Sequence, residues 1–122
     1  MSDRSIIYKV CRATEWEAAQ AAGAYSGSPD DQRDGFIHFS NASQLPGTLA
    51  RHFHGQQNLV LIAFRSFDLV TALRWEASRG GDYFPHYYGT LDPALAASVQ
   101  PLTLSPDGTP EVPAAIADST RS

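Results

Sequence analysis

The sequence predicts an α+β fold, because several short β-rich runs surround only two substantial helical stretches. A doubly wound parallel sheet needs a helix after nearly every strand. Its phosphate fingerprint is also missing: no Gly-x-Gly-x-x-Gly follows a strand, and no loop ends in Gly-Lys-Ser/Thr. A third observation is Leu59-Val60-Leu61-Ile62-Ala63-Phe64, apolar at every position as expected of a strand covered on both faces. That run is expected at the centre of the core.

Ile6 to Arg12 has the β-rich composition of a first strand. Thr14-Glu15-Trp16-Glu17 has the spacing of a capping box and predicts a helix to about Ala22, with Trp16, Ala19 and Ala22 on one face and Gly23 as its stop. Ser26 to Asp34 is polar, carries Gly and Pro, and reads as a surface loop. In the next strand a period of two places Phe36, His38 and Ser40 on one face and Ile37 and Phe39 on the other. Asn41 or Ser43 can cap the second helix. Ser43 is preferred because Pro46 then falls in the first turn, and Leu45, Leu49 and Phe53 form the buried stripe. After a turn from Gly55 to Asn58 and the apolar strand, Leu73 to Ala77 reads as a strand and Tyr83 to Leu91 as an extended or bent segment. A short helical piece from Asp92 to Ala97 and a final strand from Ser98 to Leu104 follow. From Ser105 the periodicity ends, so a single globular domain over 1–105 and a mobile tail over 106–122 are expected.

With 122 residues, 43% of them hydrophobic, one domain can bury somewhat under ~70% of its unfolded surface. The net charge of -4 and scattered arginines argue against a nucleic-acid binder, which needs a concentrated basic face. Cys11 is the lone cysteine, so it forms no internal disulfide; it reads as a small buried hydrophobe. Four histidines and one cysteine show no metal-ligand spacing, and no metal is expected. No signal-like start or membrane span of ~18 apolar residues is present, so a cytoplasmic protein without a membrane partner is expected.

Two aromatic-rich segments carry the candidate chemistry: Asp34-Gly35-Phe36-Ile37-His38-Phe39-Ser40 and Phe84-Pro85-His86-Tyr87-Tyr88-Gly89. They read as two walls of one pocket. His38 can donate and accept protons around neutrality, Ser40 adds a hydroxyl, and Phe36 adds a stacking surface. Glu76 is the candidate catalytic carboxylate beside Trp75, on the strand face shared with Arg74; a surface ion pair is its alternative role.

Ile7-Tyr8-Lys9-Val10, Trp16-Glu17-x-Ala19, Gly23-x-Tyr25, Gly35-Phe36-Ile37-His38-x-Ser40 with Gln44, Leu73-x-Trp75-Glu76 and Phe84-Pro85-His86-x-Tyr88-Gly89-x-Leu91 occur in that order. Together they closely resemble the bacterial family called domain of unknown function 952, over about Ile6 to Leu104. The resemblance implies an ADP-ribosyltransferase-like fold, with two small packed β-sheets, two main helices and a central cleft. A looser similarity is to the RNA 2'-phosphotransferase branch of that fold: Tyr8-Lys9-Val10-Cys11 looks like its Tyr-His-Gly-Thr motif, and Ile37-His38-Phe39-Ser40 like its later His-x-Ser. Lys9 replaces the nucleotide-binding histidine, Cys11 the threonine, and Asp34 falls where that branch has a catalytic arginine. An anion there would repel a phosphate, so the resemblance speaks for the scaffold and not for the reaction.

The expectation is therefore a cleft for a small nucleotide-type ligand, with NAD or ADP-ribose as the candidate. His38 and Ser40 would bond ribose or amide groups, Tyr8 and Tyr88 supply ring surface, Lys9 supply positive charge, and His86 form the opposite wall. Glu76 and His38 are the candidate catalytic groups. An active ADP-ribosyl- or RNA 2'-phosphotransferase-like enzyme and a noncatalytic protein-interaction module are the alternatives.

Overall fold

The first β-rich run forms strand β1 (Ile6–Arg12), from which the chain passes directly into helix α1 (Ala13–Ala22) in a computed structural model that describes residues 4–119. Thr14 lies inside α1 and does not cap it; Arg12 is the cap residue and makes no side-chain cap bond. A tertiary contact serves instead, because the Ala13 amide donates to the Asn58 carbonyl at 2.8 Å. Trp16 and Ala19 are buried as expected, whereas Ala22 is exposed at the final turn.

The expected surface loop contains a six-residue helix, α2 (Pro29–Asp34). Its start is a full capping box: Ser28 Oγ accepts from the Asp31 amide while the Asp31 carboxylate accepts from the Ser28 amide. Pro29 occupies the first turn, where its missing N–H costs nothing. A two-residue strand, β2 (Ile37–His38), leads to one turn of 3-10 helix (Ala42–Gln44) and then α3 (Leu45–His52). Asn41, rather than Ser43, caps this unit, since its side chain and that of Gln44 exchange hydrogen bonds with each other's amides. Strands β3 (Leu59–Arg65), β4 (Leu73–Ala77), β5 (Tyr83–Tyr87) and β6 (Ala96–Pro101) follow, and α4 (Ala114–Ser119) closes the described chain.

The strands form two antiparallel three-stranded sheets, ordered β1-β3-β6 and β2-β5-β4. Strand β3 explains its uniform apolarity by its place in the middle. Ile62 and Phe64 face one cluster with Ile7, Cys11, Trp16, Ile37 and Phe39, while Leu59, Leu61 and Ala63 face another with Val10, Leu45 and Leu49. The first cluster joins the two sheets; the second sits under α3.

The sheets are also joined through the backbone, where Tyr8 and Ser40 exchange N–H to carbonyl bonds of 2.8 and 2.9 Å. In the second sheet Ile37, Phe39, Leu73, Trp75 and Tyr87 belong to the shared core. The period of two consequently turns Phe36, His38, Glu76, His86 and Tyr88 the other way.

Over its described part, the stretch after Ser105 contacts the body of the fold. The Glu111 amide donates to Thr103 O, Leu104 pairs with Pro110, and Ile116 is buried against the α3 cluster with Val112 beside it. Isolated apolar residues in a Pro-rich stretch have no periodicity, yet they complete a core face already built by α3 and β3. Residues 120–122 lie outside the described residues.

Candidate functional site

Lys9 is the unusual residue of β1. Alternation aims it to the same side as Ile7 and Cys11, into the fold, and it is buried. A buried ammonium needs a partner, and Asp31 supplies one: Lys9 Nζ lies 2.6 Å from Asp31 Oδ2, with the two side chains only 5% and 1% exposed. Lys9 also donates to the His38 carbonyl at 3.2 Å. The free positive charge expected at Lys9 is thus already neutralised within the protein.

Asp31 is the hub of the site. Oδ2 accepts from Lys9 and the Ser28 amide at 2.9 Å; Oδ1 accepts from the His38 amide at 3.1 Å and meets the ring Nδ1 at 2.5 Å. Burial pushes the Asp31 carboxyl up, but the bond from His38, the charge and bond of Lys9 and the Ser28 amide outweigh it and hold the carboxyl well below the usual carboxylate range. An ionised carboxylate only accepts, so His38 Nδ1 must carry the proton in this contact. That fixes the ring's orientation and turns Nε2 outward, 3.0 Å from Asp34 Oδ2.

A second carboxylate holds the second histidine. Glu76 Oε1 accepts from His86 Nδ1 at 2.8 Å and from the Tyr88 hydroxyl at 2.7 Å. The Tyr88 bond first, and the His86 bond next, lower the Glu76 carboxyl below its ordinary range. Glu76, for which a surface ion pair was the alternative role, thus sits in a Glu76–His86–Tyr88 cluster, while Arg74 lies over the Tyr88 ring at 5.5 Å. His38 and His86 are register partners across β2 and β5, with ring centroids 5.7 Å apart. Phe36 stacks on His86 at 4.0 Å and touches His38 at 4.6 Å, so it clamps both rings.

A hollow of about 410 Å³ opens beside these rings. Of the expected site residues, Tyr8, Lys9, His38, Ser40 and His86 line it; Glu76 and Tyr88 do not, and reach it only through His86. Ser40 Oγ shares a 2.8 Å hydrogen bond with Thr48 Oγ1 of α3 on the wall. Sequence reasoning missed Asp31, Thr48 and Arg51, which also line the hollow. The signal for Asp31 was present: Ser28-Pro29-x-Asp31 is a helix start with an acidic group at the third position. Cys11 does not line the hollow, and burial, outweighing the nearby charge of Lys9, pushes its thiol up to about 11. Among the described residues no group of three or more His, Cys, Asp or Glu is placed to hold a metal. Among them, too, no helix is long and apolar enough to cross a membrane.

Gly27 protects the hub. Its φ is +103°, and a Cβ built there would lie 2.7 Å from Asp31 Cβ. Gly27→Ala is expected to cost about 1–3 kcal/mol through strain and displacement of Asp31. Urea denaturation checks the cost, and a change in the His38 ring NMR signals checks that the displacement reaches the site; unchanged midpoint and signals would contradict it.

Fold and site together define a small α+β domain in which two buried or half-buried carboxylates each hold one histidine of a facing pair. Residues 10–99 match the family described as Protein of unknown function (DUF952), and the chain belongs to that family. It is similar to the crystal structure of protein CC0527 from Caulobacter crescentus, at 43% identity over 93% of this chain and 99% of that one, with a TM-score of 0.89. The solution NMR structure of CC0527 gives 45% identity over 87% and 91% of the two chains, with a TM-score of 0.79. No curated protein matches the chain.

Proposed function

We propose that the hollow beside His38 and His86 binds a small nucleotide-type ligand, NAD- or ADP-ribose-like, on a scaffold akin to the ADP-ribosyltransferase fold. The observation that carries this reading is the pair of imidazoles, 5.7 Å apart on neighbouring strands, at the wall of a hollow of about 410 Å³. Small-molecule sites commonly occupy ~300–1,000 Å³ and combine ring surface with a few fixed polar groups. A volume near the lower end would enclose one nucleoside moiety of such a ligand and leave the rest at the mouth of the hollow.

The side chains divide the work. The hydroxyl pair Ser40–Thr48 can exchange its internal bond for bonds to ribose hydroxyls. His86 donates Nδ1 to Glu76, which leaves Nε2 as an acceptor, and the rings of His86 and Tyr8 give flat surface. Arg51, on the same wall as Thr48, provides the positive charge that Lys9 spends on Asp31. The lone buried thiol of Cys11 fits a reducing cytoplasm.

Calorimetric titration with NAD, ADP-ribose and nicotinamide tests the reading. At least one should bind at millimolar concentration or below, and His38→Ala should weaken it by about tenfold, the loss of one charged-group contact. No binding by any of the three at millimolar concentration overturns it.

A further inference from the structure

Asp34 stands between two cationic donors. Its carboxylate bridges two donors at the rim of the hollow: Oδ1 lies 3.1 Å from Arg33 Nε, and Oδ2 lies 3.0 Å from His38 Nε2. We propose that this is an oxyanion subsite, in which a phosphate or carboxylate group of the ligand replaces Asp34 between Arg33 and His38. The inference rests on the hollow being a ligand site and names the group that enters it.

The two sides of the His38 ring differ in mobility. Nδ1 is bonded to Asp31, which is buried and tied by Lys9 and the Ser28 amide, so that side is fixed. Nε2 meets Asp34, whose side chain is about a third exposed and which ends α2 just before Gly35, a residue in the left-handed region at φ +87°. With both ring nitrogens facing carboxylate oxygens, each must carry a proton for both contacts to be made, so Nε2 presents a donor to whatever sits there.

Replacing Asp34 is cheap. Exposed ion pairs contribute ~0–1 kcal/mol, and the released carboxylate returns to water. Arg33 first, then His38, holds the Asp34 carboxyl below its ordinary range, which marks the position as one that favours an anion. The surrounding charges are compatible. Asp31 is neutralised by Lys9, Glu76 is turned to His86 and Tyr88, and Arg51 lies on the same hollow; Asp30, 3.2 Å from Arg33 Nη1, competes for the guanidinium. The acidic residue that would repel a phosphate while in place thus becomes its stand-in, and its departure leaves a guanidinium and an imidazole aimed at one point.

The test uses the full chain and its Asp34→Ala variant, titrated separately with inorganic phosphate, acetate and uncharged adenosine, with the His38 ring 1H–15N signals observed by NMR. Asp34→Ala should bind phosphate or acetate about two- to fivefold more tightly than the unaltered protein, the gain expected from removing one exposed competing pair. The His38 Nε2 signal should move with saturation, and adding Arg33→Gln should abolish the gain. The anion with the larger gain names the ligand group. An absent gain, a gain that survives Arg33→Gln, or a His38 signal that stays still would each overturn the subsite. Adenosine binding without an anion gain overturns the subsite and leaves the nucleotide reading standing. An anion gain at His38 without binding of adenosine or any nucleotide supports the subsite and removes the nucleotide reading.

Discussion

Asp31→Asn should destabilise the protein by about 3–5 kcal/mol, the range for leaving a buried charge without its partner. In a chain of this length that is a fall on the order of 10–20 °C in Tm. The cause is Lys9, which sits on the inner side of β1 with its side chain 5% exposed and loses its anionic partner. The same carboxyl predicts an acid dependence. Unfolded, Asp31 takes up its proton near ~3.9, whereas the folded protein holds it ionised to much lower pH. Below about pH 4 the unfolded chain therefore binds the extra proton, so stability falls as the pH drops towards the depressed native value and is fully present above the ordinary carboxylate range. Thermal melts between pH 3 and pH 7 should show a steeper acid loss for the unaltered protein than for Asp31→Asn. A variant within about 1 kcal/mol of the parent at pH 7 would contradict the assigned role of the pair.

Phe64→Ala should cost about 3–5 kcal/mol, the range for truncating a fully buried aromatic. Phe64 is fully buried in the middle strand of the first sheet and packs edge-on against Trp16 of α1 and Phe39, which follows His38. It therefore joins the layers, and its cavity opens beneath the strand that carries the site. Denaturant unfolding measures the stability loss. The His38 ring signals should broaden or shift in the folded variant, since Phe39 loses its support; a loss under about 1 kcal/mol would show that the sheets close over the gap.

The two effects reach the site by different routes. Asp31 sets the direction of His38 through hydrogen bonds, whereas Phe64 sets the height of its strand through packing. Lys9 and Asp31 neutralise each other at the wall of the hollow. They join β1, α2 and β2 into one unit, and the orientation of the His38 ring follows from that junction.

The local pattern of the chain was enough to identify the apolar strand at Leu59 to Phe64, the strand from Leu73 to Ala77 and the two-faced strand around His38, because a strand's alternation, or its uniform apolarity when both faces are covered, is written residue by residue. It also located both aromatic segments that bring His38 and His86 together. Caps were less legible. Thr14 and Ser43 have suitable chemistry, but the Asn58 carbonyl and the Asn41–Gln44 pair satisfy the helix starts, and partners that compete for the same amides differ little in energy.

Folding alone decided the rest. Lys9 and Asp31 stand 22 positions apart, so nothing local distinguishes a buried pair from two solvated charges. Ile116 joins the core only because α3 and β3 have already built a face to receive it. Periodicity records which way a side chain leaves its own backbone; which distant group waits there depends on how the elements pack, and this determines where a charge is neutralised and which atom of a histidine faces outward.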